Sequence, residues 1–232
     1  PDLIVLTLTE FADQAHRIGR AADLPLMVDA DHGYGNALNV MRTVEELETA
    51  GVAGLSIEDT LLPRGYGPSG TPQLLSVEEG VGKMKAALAA RRDPDLVIAA
   101  RTSAAEITGI EDAVLRATAY EATGVDAMFL VGVKTRDQLE AIASRLRIPI
   151  ILGGAGASLM DLEYLSAHNV RICLQGHQPF QAAVRAVYET LKALREGASP
   201  ADLGMLASGD LIRKVTRADE YERWTREFLG SG

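Results

Sequence analysis

Short apolar runs alternate with amphipathic stretches along this chain. The clearest runs are Leu24–Val28, Val52–Ile57, Leu96–Ala100, Ala127–Val131, Ile148–Leu152 and Val170–Leu174. Each is brief and almost wholly apolar, as parallel strands buried on both faces are. Helix starts lie between them. Thr7 with Glu10, Ser76 with Glu79 and Thr135 with Gln138 read as capping boxes. Gly51, Gly124 and Asn169 stand where helices should end. Phe180, Val184, Val187, Leu191 and Leu194 recur at helical spacing and make one apolar stripe. This alternation predicts a parallel α/β fold.

An open doubly wound sheet and a closed barrel both fit. The first would carry three spaced glycines after a strand, and Gly33-Tyr34-Gly35-Asn36-Ala37-Leu38 supplies two. The barrel is favoured by the polar residues Asp29, Asp31, Glu58, Asp59, Arg101 and His177, which follow different apolar runs. A (β/α)8 TIM-type barrel gathers such strand ends into one site. The chain offers six strand–helix units and begins at Pro1. Eight units close a barrel, so the expectation is that the first two, about 50 residues, are lacking from this sequence. Residues 1–198 are read as the barrel domain. Its loop 60–75 is long enough to be a lid or binding loop. Residues 199–232 are read as a C-terminal helical extension. There Tyr221, Trp224 and Phe228 form an apolar stripe for packing on the barrel or a neighbouring subunit.

Composition narrows the classes. The 232 residues are 47% hydrophobic, enough for one sizeable core. Lys and Arg number 23 against 32 Asp and Glu, a net charge of −9 without a basic run, which argues against nucleic acid. No apolar run approaches the ~20 residues of a membrane helix. Cys173 is the single cysteine, so no disulfide forms within the chain. With no signal peptide recognised, the expected compartment is the cytoplasm.

The chemistry concentrates at strand ends. Asp29 and Asp31 can both reach a hard cation, directly or through water, and Mg²⁺ usually takes one or two protein carboxylates. The bland reading is a capped turn of solvated aspartates. Glu58, on the next strand, would face the same cluster, and crowded carboxylates call for a cation or protons. Arg101 either pairs with Glu58 or binds a substrate carboxylate through two prongs. His177 is an acid, a base, an anion binder or a structural histidine. His16 and His168 are expected on solvated helix faces, and His32 to orient its loop. Gly153-Gly154-Ala155-Gly156 is an anion cradle or a plain turn.

Asp29-Ala30-Asp31-His32-Gly33-Tyr34-Gly35, Ser56-Ile57-Glu58-Asp59 and Ala100-Arg101-Thr102, in that order, resemble the isocitrate lyase/phosphoenolpyruvate mutase superfamily. Residues 31–44, Ile57–Pro63, Val77–Lys83 and the Gly176-His177 pair resemble its oxaloacetate decarboxylase branch. The resemblance covers essentially the whole chain. It implies a (β/α)8 barrel, commonly tetrameric, that binds Mg²⁺ (Mn²⁺ can substitute) and a 2-oxo acid or its enolate. It further implies Asp31 as the direct metal ligand, Asp29 and Glu58 acting through metal-bound water, and Arg101 and His177 as catalytic and substrate-binding, with Gly154 also at the substrate. The activity implied is Mg²⁺-dependent decarboxylation of oxaloacetate to pyruvate and CO₂ through a metal-bound enolate. Residues 60–75 lack the cysteine of the lyase members and the Asn-containing signature of the phosphonomutases. The branch's usual Tyr-Gly pair is replaced by Gly153–Gly156. The alternatives are therefore a relative acting on a phosphonate or another 2-oxo acid, and an inactive metal-binding homologue.

Overall fold

Six parallel strands lie side by side in chain order: β1 (Met27–Asp29), β2 (Gly54–Glu58), β3 (Val97–Thr102), β4 (Ala127–Leu130), β5 (Ile150–Leu152) and β6 (Val170–Cys173). They form a curled half-barrel, consistent with part of a TIM-type barrel. The computed structural model describes residues 4–65, 71–204 and 206–230. The chain divides into two compact units, Pro1–Gly176 and His177–Gly232.

In the first unit the helices are α1 (Leu8–Gly19), α2 (Ala37–Thr49), α3 (Val77–Ala90), α4 (Ala104–Ile107), α5 (Ile110–Glu121), α6 (Arg136–Ala143) and α7 (Leu162–Ala167). Thr7 and Thr135 form the expected capping boxes, and Ser76 caps α3 through its hydroxyl. Gly51, Gly124 and Asn169 all take the left-handed conformation that ends a helix.

Strands β1, β2, β3 and β5 start later than their apolar runs, whereas β4 and β6 start with theirs. Residues 24–26 precede β1, because the register with Gly54–Ser56 of β2 spans only Met27–Asp29. β3 runs two residues further, through Arg101 and Thr102, which pair with Phe129 and Leu130 of β4. In strands, alternate residues point to opposite faces. Ile98 and Ala100 therefore join the main core with Leu55, Ile57, Met84 and Tyr120. Ala99 turns the other way, into a smaller cluster with Ala127, Phe129 and Ile151. Register sets Glu58 directly opposite Arg101 at the C-terminal ends of β2 and β3.

The second unit holds α8 (Gln178–Arg195), α9 (Gly209–Val215) and α10 (Ala218–Phe228). The predicted stripe on α8 is helical, and its side chains from Phe180 to Leu194 are exposed. On α10 the Tyr221 and Trp224 rings meet edge to face at 5.2 Å. No described helix is long and apolar enough to cross a membrane.

Candidate active site

A cavity of about 1040 Å³ opens at the C-terminal ends of β1 to β4, bounded by Asp29, Asp31, Glu58, Thr60, Arg101, Ser103, Glu106 and Val131. The stems of the 60–75 loop also line it, at Leu62–Arg64, Thr71 and Pro72. Leu61 N donates to Gln73 O at 2.8 Å and Leu75 N to Asp59 O at 2.8 Å, so the two stems pair as they leave the barrel. The middle of this loop, 66–70, lies outside the described residues.

The acidic turn 29–35 is held from several sides. Asp31 N donates to Asp29 Oδ1 at 3.1 Å, and Ser56 Oγ donates to the same oxygen at 3.2 Å. Glu58 N donates to Asp31 O at 2.7 Å, which ties the turn to β2. Asp31, Gly33 and Tyr34 all have positive φ, at 49°, 73° and 60°. Aspartate tolerates that region, whereas tyrosine there costs of order 1–3 kcal/mol, borne by the surrounding contacts. A side chain at Gly33 would run into Val40, 2.5 Å from its Cβ. Beneath the turn, buried Lys83 donates from Nζ to His32 O at 2.8 Å. His32 is buried with no hydrogen-bond partner at Nδ1 among the described residues, and burial lowers its pKa. Its ring lies against that of Tyr34, the centroids 6.2 Å apart.

Charge is crowded around Arg101. Its Nη1 pairs with Asp29 Oδ2, and its Nε lies 3.7 Å from Glu58 Oε2. The guanidinium also sits over the Phe129 ring, 5.4 Å from its centroid. The choice left open by the sequence, Glu58 or substrate, thus has a third answer in the protein alone, because the close partner is Asp29. Burial alone would lower the Arg101 pKa; Asp29 and Glu58 more than offset it and hold the group charged. Glu58 is only 5% exposed, and burial pushes its pKa up against the opposing pull of Arg101 and Thr60. Thr60 Oγ1 donates to Glu58 Oε2 at 2.8 Å. Tyr34 is pushed up to about 12 by burial and by Asp31 and Asp29.

The donor set suits one kind of metal. Among the described residues no three His, Cys, Asp or Glu side chains are placed to enclose an ion. A hydrated Mg²⁺ needs only one or two protein carboxylates and keeps its waters. Asp29, Asp31 and Glu58 on one cavity, with Arg101 paired to Asp29 and facing Glu58, fit that open arrangement.

Gly154 follows β5, exposed and with φ of 111°, and is not among the residues lining this cavity. His177 begins the second unit as the residue before α8 and is exposed. His16 is exposed, as expected, but His168 is only partly so: its Nδ1 lies 2.8 Å from Tyr164 O and its ring 4.2 Å from the Tyr164 ring. It caps the C-terminal end of α7. Sequence reasoning singled out neither Arg116 nor Tyr120, which grip Asp59 behind the site. The only signal was an arginine and a tyrosine on the core side of a helix.

Known proteins share this architecture. The phosphonopyruvate hydrolase complexed with oxalate and Mg²⁺ superposes with a TM-score of 0.84 at 30% identity, covering 99% of this chain and 81% of that one. An oxaloacetate acetylhydrolase bound to 3,3-difluorooxalacetate gives 0.83 at 28% identity, covering 100% and 80%. Proteins named oxaloacetate decarboxylase are 59% identical in Rhodopseudomonas palustris (strain BisB5) and 57% in Bradyrhizobium sp. (strain BTAi1 / ATCC BAA-1182). They match over 99% and 100% of this chain and 79% and 80% of their own lengths. The family described as phosphoenolpyruvate phosphomutase matches residues 1–195, and the chain belongs to that family.

Proposed function

We propose that this protein is a carbon–carbon lyase that decarboxylates oxaloacetate to pyruvate and CO₂ at the cavity bounded by Asp29, Asp31, Glu58 and Arg101. The strongest support is the joining of that acidic cavity and the Arg101 guanidinium with relatives of 56–59% identity that bear this activity in their name. Asp31 would hold Mg²⁺ directly, with Asp29 and Glu58 acting through its waters; Mn²⁺ can substitute. When bound, the ion supplies Lewis acidity at the 2-oxo carbonyl, the electron sink for breaking C3–C4.

The protein's residues do the rest. Arg101 receives a substrate carboxylate and sets positive charge where negative charge develops. Its buried Nε has no hydrogen-bond partner among the described residues, a donor left for an anion to satisfy. The C3–C4 electron pair passes into the enolate of pyruvate as CO₂ departs, and a proton at C3 completes the product. His177 is assigned to substrate contact and Gly154 to the substrate's surroundings, both on the sequence resemblance alone. The same resemblance supports a homotetramer. The single cysteine suits a cytoplasmic enzyme.

Pyruvate release from oxaloacetate by the full-length protein is the test, with Mg²⁺, with EDTA and in Asp31→Ala. Turnover above the metal-only rate that EDTA and the substitution both abolish is expected. Absence of turnover, with release of phosphate from phosphonopyruvate in a parallel assay, would overturn the reading in favour of a phosphonate substrate.

A further inference from the structure

Glu58 and Arg101 face each other into the cavity, so the next residue of each chain segment turns to the opposite side of the sheet. Those next residues are Asp59 and Thr102, and they are joined: Thr102 Oγ1 donates to Asp59 Oδ2 at 3.0 Å. The same oxygen accepts from Arg116 Nη1 at 3.0 Å and from Tyr120 Oη at 2.7 Å, both on α5. Asp59 N donates to Arg101 O at 3.2 Å, a second tie between the two strand ends. Arg116 also donates to Leu75 O at 2.9 Å, where the 60–75 loop returns.

Stability alone is a poor reason for this arrangement. Asp59 is fully buried, and its other oxygen has no hydrogen-bond partner among the described residues. Buried ionic clusters are often no more stable than apolar replacements of similar shape. The helix α3 carries Gly80 in its first turns, where a Cβ would meet the Tyr120 hydroxyl and ring. A helical glycine costs about 1 kcal/mol against alanine. Two local costs thus converge on one contact, whose far end is the Glu58–Arg101 pair.

We propose that Asp59, gripped by Tyr120, Arg116 and Thr102, is a positioning residue that holds Glu58 and Arg101 in register for a hydrated divalent cation and the substrate. The inference rests on the reading of Glu58 as a group that serves the metal through water.

The experiment is a titration with Mn²⁺ alone, followed by electron paramagnetic resonance, on wild type, Tyr120→Phe, Glu58→Gln and the double variant. Groups behind a metal site typically contribute 10- to 100-fold to affinity, so Tyr120→Phe is expected to weaken Mn²⁺ binding about tenfold. In the Glu58→Gln background the same change should cost nothing further, because the group being positioned is gone. Unchanged affinity in Tyr120→Phe, an equal loss in both backgrounds, or a wild type that binds no Mn²⁺ would each overturn the proposal. Arg116→Lys, which keeps the charge but not the two-oxygen grip, serves as the second variant should Tyr120→Phe fail to fold, with the same Glu58-dependent loss expected. Pyruvate release is measured in parallel. Coupled Mn²⁺ binding without turnover would sink the decarboxylase reading and still support this one.

Discussion

Tyr120 Oη lies 2.7 Å from Asp59 Oδ2, joining residues 61 positions apart at a point where α3 has no side chain to obstruct them. Gly80 and Gly82, two residues apart on that helix, therefore make opposite predictions. At Gly82 a Cβ would meet nothing within 4 Å, so Gly82→Ala should stabilise by roughly 0.5–1 kcal/mol. Gly80→Ala gains the same helix propensity but overpacks against Tyr120, at a cost of about 1–3 kcal/mol, so its net effect is a loss. Urea unfolding of the two variants decides this. A stabilised Gly80→Ala would mean that the Tyr120 hydroxyl does not occupy that space.

Glu58 sets activity against stability. Burial raises its folded pKa above the unfolded value, with Arg101 and Thr60 opposing and Asp29 and Asp59 adding to the rise. A raised carboxylate contributes stability below its unfolded pKa and loses it as pH climbs through the folded one. Toward neutral pH the raised pKa of Glu58 therefore counts against the folded, metal-free protein. Glu58→Gln in EDTA is expected to melt higher than wild type at pH 7, by about 2–4 °C per kcal/mol relieved, with the gap closing toward pH 4. Calorimetry at the two pH values checks it, and a lower melting point at pH 7 would contradict the sign.

Arg101→Lys keeps the positive charge but loses the planar fork that reaches Asp29 and faces Glu58. If the group receives a substrate carboxylate and offsets developing charge, kcat/KM for oxaloacetate should fall about 100-fold or more. The fold should persist, since the strand pairing does not depend on the head group. Steady-state kinetics with a circular dichroism control gives the answer. Activity within a factor of three of wild type would remove Arg101 from the chemistry.

Metal binding should register in stability as well as turnover. A ligand at 100 times its Kd stabilises by about 2.7 kcal/mol, equivalent here to roughly 5–10 °C in melting temperature. Saturating Mg²⁺ is expected to raise the midpoint of the wild type, and Asp31→Ala to abolish the rise. A rise retained in Asp31→Ala would place the ion elsewhere.

Element type was readable along the chain because it depends on neighbours a few positions away. Thr7 and Thr135 closed their capping boxes, Asn169 took the left-handed cap, and every apolar run became a strand. Strand limits were less accurate. They depend on where a partner offers backbone groups, as at β1, where pairing is confined to three residues. The site was legible to the same extent: polar residues after apolar runs had to gather at one end of a parallel sheet, and Asp29, Asp31, Glu58 and Arg101 do line one cavity. Burial was not legible. His168 reads as an outer helical residue, yet it closes over Tyr164 because α7 ends there.

By itself, then, the sequence determined the parallel α/β architecture, the acidic strand ends and the family pattern, since these follow from local periodicity and from the motifs themselves. Tertiary structure alone decided which charge answers which. Arg101 could meet Asp29 72 residues away, and Asp59 could meet Tyr120 through the space at Gly80, only once strand register and helix packing had brought them together. Interaction energies between charged and hydrogen-bonding groups depend on distance and burial, and neither quantity exists along the chain before it folds.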